Sequence, residues 1–160
     1  TVRPYLANHK NLVILRTFSK AFSLAGVRVG YLLGNAEVIR EFIKVRQPYS
    51  VDAVSQAIAR VVFRNRAKFE RGIMQIISER GRVFEALGQL PGVTAYPSNA
   101  NYILFHVEGA GQVWQQLYDR GILVRDFSRA NMLEDCLRVS IGSPQENDEL
   151  LAALQEILSK

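Results

Sequence analysis

Short apolar runs and helix-like repeats follow one another over the first half of the chain, and their spacing predicts two strands and then three helices. Each strand is bounded by polar or glycine positions, whereas each helix repeats apolar residues every three or four positions. Asn35 is a suitable N-cap for the first helix, and Pro91-Gly92 ends the third. The expected strands are 12–15 and 29–33, and the expected helices are 36–46, 52–64 and 66–90.

The second half changes to shorter elements in which strands and helices alternate. Gly121 follows one helical segment as its C-terminal stop, and Pro144 stands in the first turn of another. The expected strands are 93–96, 101–105, 122–125 and 136–141, and the expected helices are 110–120 and 144–158.

This order of elements predicts an α/β protein with two subregions, the second of which begins at about residue 70 or 90. Two strands are too few for a self-sufficient open sheet, so the first subregion is interpreted as the end of a larger domain. The second subregion is interpreted as a small α+β domain.

Composition restricts the function classes. The 160 residues are 48% hydrophobic, as in a globular protein, and no apolar run reaches the ~18 residues of a membrane span. The N-terminal residues do not resemble a secretion signal, and Cys136 is the only cysteine, so we expect a cytoplasmic protein without an intrachain disulfide. His9 and His106 lie far apart in the sequence, so no metal site is expected.

The net charge of +5 raises the question of nucleic-acid binding. The basic residues fall at helical spacing among apolar residues, which is typical of solvated helix faces, so we expect neither a nucleic-acid partner nor a membrane partner. A mild positive bias also suits a phosphorylated small-molecule substrate.

The segment around Lys20 contains the groups that a Schiff-base lysine beside a phosphate requires. Thr17 and Ser19 supply hydroxyl groups, and Arg28 supplies a guanidinium that can form two hydrogen bonds to a phosphate. Taken alone, Lys20 has the alternative of being a solvated surface charge, and spacing alone indicates only an anion site.

This segment resembles the cofactor-lysine segment of the fold type I pyridoxal-phosphate aminotransferases, and within them the histidinol-phosphate aminotransferases. The resemblance extends over nearly the whole chain. It is carried by 16–30 (RTFSKAFSLAGVRVG), 99–104 (NANYIL), 121–126 (GILVRD) and 137–142 (LRVSIG).

The resemblance implies that Lys20 forms a Schiff base with the cofactor pyridoxal 5′-phosphate and then moves a proton on the substrate. It implies that Thr17, Ser19 and Arg28 hold the phosphate of that cofactor. It also implies that 1–70 is the C-terminal part of the large cofactor-binding domain and that 71–160 is the small C-terminal domain.

Three further residues are implied in substrate binding: Arg138 on the α-carboxylate, Arg125 near the substrate phosphate, and Asn101 near the substrate. For each of the three residues, the sequence alone also allows a role other than substrate binding. Arg138 stands between two apolar residues of an alternating strand, where an exposed arginine gives the same pattern. Arg125 next to Asp126 has the pattern of a surface ion pair, and Asn101 that of a turn end.

The implied function is transfer of an amino group between histidinol phosphate and 2-oxoglutarate in histidine biosynthesis, by a homodimer. Aromatic amino-acid aminotransferases and threonine-phosphate decarboxylases resemble the same segments, so they remain alternatives. A non-catalytic truncated interaction module is the alternative from another class.

The family has much more chain before the lysine than the nineteen residues found here. That part carries the acidic partner of the pyridine nitrogen, an aromatic residue stacked on the ring and a phosphate-binding turn. We therefore interpret the chain as a C-terminal portion and expect negligible transaminase activity from it alone.

Overall fold

The computed structural model describes residues 2–159 and divides into two compact units, one ending at Glu70 and the other beginning at Arg71. Both units combine helices with antiparallel strands, so the expected α/β class is confirmed. No helix within residues 2–159 has the length and apolarity needed to cross a membrane.

The first unit contains a two-stranded antiparallel sheet followed by helices. Its elements are β1 (Val13–Thr17), β2 (Gly30–Gly34), α1 (Ala36–Val45), α2 (Ala53–Arg64) and the start of α3 (Ala67–Leu87), with 3-10 helices at Arg3–Ala7 and Ala25–Val27. The expected strands and helices all occur, with bounds displaced by up to three residues. The two 3-10 helices were not expected.

Capping residues define the helix starts of the first unit. The side chain of Asn35 accepts a hydrogen bond from the N–H of Glu37 at 2.9 Å, which confirms the expected N-cap of α1. Asp52 does the same for α2 by accepting from Ser55 at 2.8 Å. Each cap satisfies a backbone N–H that has no partner within its helix.

A cluster of aromatic rings forms the centre of the first unit. Phe18, only 7% exposed, lies 5.2 Å from Phe22, 5.9 Å from Tyr31 and 6.5 Å from Phe63, measured between ring centroids. The strands of this unit are only partly covered, since Leu15 is 75% exposed. A sheet of two strands offers too few neighbours to cover both of its faces.

The second unit is a four-stranded antiparallel sheet in the order β3-β4-β6-β5 with helices packed on one face. Its elements are β3 (Val93–Ala95), β4 (Tyr102–Val107), α4 (Ala110–Asp119), β5 (Arg125–Asp126), β6 (Cys136–Ser140) and α5 (Pro144–Leu158), together with most of α3. The core takes alternate residues of the central strands and the inward faces of the helices. Its fully buried members include Val83, Leu87, Ile103, Phe105, Leu117, Leu137 and Leu154.

The expected strand at 122–125 is wrong for most of its length. Of these residues and the next, only Arg125 and Asp126 pair with β6, because the backbone before them forms hydrogen bonds with residues of α4. The N–H of Ile122 donates to the carbonyl of Leu117 at 2.9 Å, and the carbonyl of Val124 accepts from the Trp114 indole at 3.0 Å. These bonds attach the segment to α4, so only two residues pair with β6.

A buried asparagine connects α3, α5 and the end of β6. The Asn147 side chain is bonded to both backbone groups of Gly142, accepting from its N–H at 3.0 Å and donating to its carbonyl, and donates to Glu79 at 2.8 Å. Glu79 is also paired with Arg82, which reaches Asp148 of α5 at 2.7 Å. Because its polar atoms are satisfied, this network stabilises the turn that follows β6.

Candidate functional site

The lysine segment is a tight loop held between the ends of β1 and β2. The N–H of Phe18 donates to Val29 at 3.1 Å, the N–H of Leu24 donates to Phe18 at 3.2 Å, and the N–H of Ser23 donates to Lys20 at 3.0 Å. Lys20 therefore lies in a hydrogen-bonded turn. It follows Thr17 by three residues, and the pairing of Thr17 with Gly30 is the last of the β1–β2 ladder.

The two expected hydroxyl groups of this loop are in contact with each other. The Thr17 hydroxyl donates to Ser19 Oγ at 2.9 Å and accepts from the Ser19 N–H at 3.1 Å. Thr17 and Ser19 thus form one small polar cluster at the end of β1. A hydroxyl can rotate to donate to a bound anion, so this arrangement is compatible with phosphate binding.

Arg28 lies at the other end of the loop in a left-handed conformation, with φ of 58°. Its Nη1 donates to the carbonyl of Ala25 at 3.1 Å, which fixes one arm of the guanidinium. Ser23 is also left-handed, with φ of 54°. Two non-glycine residues in this region of φ within one short loop are unusual, and such strain clusters at ligand sites.

The chemistry of this loop fits an anionic group. Residues 17–30 contain Lys20 and Arg28 but no aspartate or glutamate. Lys20, Thr17 and Arg28 are exposed, so their polar groups are open to a ligand. Phe18 and Phe22 pack on other rings and leave Lys20 exposed, rather than surrounding its amine.

The second group of expected site residues lies in the second unit. Arg138 is the middle residue of β6 and projects from the sheet face opposite the core, as its two buried neighbours require. Its Nε is buried and has no hydrogen-bond partner among the described residues. Its guanidinium carbon lies 5.0 Å from the centre of the Tyr102 ring and 5.7 Å from that of Phe127.

Arg125 faces Arg138 directly, since the two are Cα partners in the β5–β6 pair. The Arg125 guanidinium carbon also lies over Phe127, at 5.8 Å from its centre. Within residues 2–159 neither arginine forms an ion pair. Two like charges on opposed strand positions repel each other, so this pair is suited to an anionic ligand.

The alternative ion pair between Arg125 and Asp126 is not formed. Instead, the Asp126 carboxylate accepts a hydrogen bond from the N–H of Ser128 at 2.7 Å. Hydrogen bonding from the Ser128 side chain and then from its N–H, with smaller contributions from Arg129 and Arg125, holds the pKa of Asp126 below its ordinary value. The carboxylate is therefore engaged by its own turn, and Arg125 retains its donors.

Asn101 immediately precedes β4 and is half-buried. Its carbonyl accepts from the N–H of Ile141 at 2.9 Å, which extends the β4–β6 pairing by one step. The preceding residue, Ala100, accepts from Arg80 at 2.8 Å. Asn101 is thus held immediately before β4, three residues from Leu104, the Cα partner of Arg138.

The structure gathers the expected residues into two sets, one in each unit: Thr17, Ser19, Lys20 and Arg28 in the first, and Asn101, Arg125 and Arg138 in the second. Sequence reasoning missed Tyr102 and Phe127. A signal was present for Phe127, because it stands two residues after Arg125, the spacing that puts two strand residues on one face.

Three other features of the described residues were considered as candidate sites: a groove, the single cysteine and the metal-ligating side chains. A groove of about 620 Å³ beside the start of α4 is lined by residues that include Gly109, Trp114 and Arg129, but by no residue of either set. Cys136 is 4% exposed, and burial raises the pKa of its thiol. Residues 2–159 contain no cluster of three or more metal-ligating side chains.

Comparison with known proteins gives a consistent family. Residues 1–154 match the family model described as aminotransferase class I and II. The histidinol-phosphate aminotransferase of Caldanaerobacter subterraneus is 43% identical over 159 residues, which are 99% of this chain and 45% of the relative. The chain therefore spans a little under half the length of this curated relative.

Two solved structures have the same fold over nearly the whole chain. The L-threonine-O-3-phosphate decarboxylase of Porphyromonas gingivalis has a TM-score of 0.84 and 25% identity, covering 98% of this chain and 50% of that one. The histidinol-phosphate aminotransferase of Sinorhizobium meliloti, solved in complex with pyridoxal-5′-phosphate, has a TM-score of 0.78 and 28% identity, covering 94% of this chain and 42% of that one.

Proposed function

Since this chain belongs to the aminotransferase class I and II family, we propose that it is the C-terminal portion of a pyridoxal-phosphate-dependent aminotransferase that acts on histidinol phosphate with 2-oxoglutarate. The 43% identity to the Caldanaerobacter enzyme supports the substrate. Under this proposal the first unit is the end of the cofactor-binding domain and the second is the small domain. The complete enzyme is a cytoplasmic homodimer of histidine biosynthesis.

The observation that carries the proposal is the anion-compatible loop around Lys20. Thr17 and Ser19 would hold the cofactor phosphate through their hydroxyls, and Arg28 would hold it through the guanidinium arm that does not bond to Ala25. When bound, pyridoxal phosphate supplies an electron sink for the bond broken at the substrate α-carbon. The exposed Lys20 amine is the group that would carry the proton at that carbon.

In this proposal the two arginines of the second unit bind different anionic groups of the substrates. Arg138 would bind the carboxylate of 2-oxoglutarate or glutamate as a planar fork, and Arg125 would bind the phosphate of histidinol phosphate. The absence of an ion pair to either residue within the described chain supports this assignment, because their donors are open to a ligand. Asn101 would orient the substrate from the end of β4.

The proposal is tested by treating the chain with pyridoxal phosphate and borohydride and then mapping the reduced adduct by peptide mass spectrometry. We expect one dominant modified lysine, Lys20, and loss of that adduct in Lys20→Ala. Lys10→Ala, which removes another exposed lysine of the same unit, is the matched control and keeps the adduct. Equal labelling of all exposed lysines would overturn the assignment of Lys20.

A second candidate is a decarboxylase of threonine phosphate. It is favoured by the TM-score of 0.84 to the Porphyromonas enzyme, although that protein is only 25% identical. Both substrates combine an amine with a phosphate, so the residues described above serve either. The two are separated by equilibrium binding of histidinol phosphate and of threonine phosphate to the cofactor-treated chain, where we expect tighter binding of histidinol phosphate.

A further inference from the structure

The starting observation is an arginine whose Nε is buried without a hydrogen bond. Arg138 is held by its strand on the sheet face opposite the core, and its Nε finds no acceptor within residues 2–159. A buried donor without an acceptor is unfavourable, so something else must stabilise the guanidinium in this position.

Two aromatic rings supply that stabilisation from opposite sides. Tyr102 belongs to β4 and Phe127 follows β5, the two strands that flank β6. Their ring centres lie 5.0 Å and 5.7 Å from the Arg138 guanidinium carbon, within the range of cation–π contacts. The register explains the contact, because Arg138 pairs with Leu104 and Tyr102 stands two residues earlier on the same face.

Phe127 contacts a second cation as well. Arg125 opposes Arg138 across the β5–β6 pair, and its guanidinium carbon lies 5.8 Å from the centre of the Phe127 ring. One ring therefore contacts both members of a like-charge pair. A carboxylate at this place would neutralise the arginines and occupy their N–H groups, whereas a ring attracts them and leaves those groups available.

We propose that Tyr102 and Phe127 are positioning residues that hold Arg138, and Phe127 also Arg125, in orientation for an anionic substrate. The inference rests on the proposed function for the nature of the substrate, but the aromatic contacts are a property of the second unit alone. Substrate affinity depends on these rings even though neither ring needs to touch the anion.

The test measures anion binding to the full chain without cofactor. The probe is inorganic phosphate, titrated at constant ionic strength with chloride and followed by NMR of the arginine Nε–Hε groups; an Arg138→Lys variant identifies the Arg138 signal. In the wild type the Arg138 signal carries a ring-current shift and moves with phosphate. We expect Phe127→Leu and Tyr102→Leu each to reduce that shift and to weaken phosphate binding by about 3- to 10-fold.

Conservative and matched variants separate positioning from general structure. Phe127→Tyr and Tyr102→Phe keep a ring and are expected to retain both the shift and the affinity. Phe84→Leu makes the same change at a half-buried residue of α3 and is expected to alter neither. Tyr102 is 39% exposed, so its leucine variant is expected to fold.

Wild-type phosphate affinity in both leucine variants would overturn the proposal, and so would phosphate binding that leaves the signals of both arginines unmoved. These outcomes are distinguishable from failure of the proposed function. If phosphate binding depends on the rings but Lys20 forms no borohydride-fixed adduct, the positioning role stands and the aminotransferase assignment fails. If the adduct forms and the rings have no effect on phosphate binding, the aminotransferase assignment stands and the positioning role fails.

Discussion

A Cβ atom added to Gly30 would lie 2.8 Å from the carbonyl oxygen of Arg16 in the neighbouring strand. This close approach occurs beside Thr17, where β1 leads into the lysine loop. A carbonyl of the backbone cannot move aside as a flexible side chain can. Glycine is therefore required for the two strands to meet at the base of that loop.

Replacing Gly30 by alanine is expected to destabilise the first unit by about 1–3 kcal/mol, because the strands must separate to admit the methyl group. The yield of the borohydride-fixed adduct at Lys20 should fall as well. Urea unfolding followed by circular dichroism measures the first effect. Gly26→Ala is the control, since a Cβ there meets no atom within 4 Å; equal effects of the two substitutions would contradict the prediction.

Replacing Asn147 by alanine is expected to cost about 1–3 kcal/mol of the unfolding free energy of the second unit. The change leaves the N–H of Gly142 without its acceptor and Glu79 without one of its donors, in a place where Asn147 is 2% exposed. Urea unfolding is again the measurement. Gln145→Ala on the exposed side of α5 is the control and should have little effect.

The pH dependence of stability follows from Glu79. Hydrogen bonds from Arg82 and then Asn147 lower the pKa of this carboxyl below its ordinary value of 4.5 in the folded chain. The charged form is favoured by folding, so the stabilisation is fully present above pH 4.5 and is lost as the pH falls through the lowered folded-state pKa.

The measurement is urea unfolding of the wild type and of Glu79→Gln at a series of pH values from 7 down to about 3. The difference in unfolding free energy between them should be largest at neutral pH and should shrink in acid. Glu85→Gln, which removes a carboxyl at an exposed position on the same helix, is the matched control. A difference for Glu79→Gln that is constant over this range would disprove the linkage.

The chain by itself is expected to show negligible transaminase turnover with histidinol phosphate and 2-oxoglutarate. The electron sink of the cofactor depends on a carboxylate at its pyridine nitrogen, and residues 17–30 around Lys20 contain no aspartate or glutamate to supply it. The assay measures glutamate formation and uses Lys20→Ala as its background. Turnover near that of the full-length Caldanaerobacter relative would show that the described residues suffice.

Local chemistry made much of the fold predictable. Asn35 caps α1 as expected because a cap depends on a few neighbouring residues, and Pro144 begins α5 for the same reason. The outward direction of Arg138 followed from strand alternation alone. The strand expected at 122–125 failed because Trp114, a residue of the preceding helix, takes the carbonyl of Val124.

The family resemblance, the position of the lysine loop and the order of the elements could be predicted from the amino-acid sequence, since these depend on residues adjacent in the chain. The contacts of Tyr102 and Phe127 with Arg138, and the pairing of Arg125 with Arg138, became visible in the folded unit alone. Those contacts join three strands whose register is set by the burial of alternate residues in a shared core. Strand pairing over such separations follows from packing of the whole unit, and no local pattern specifies it.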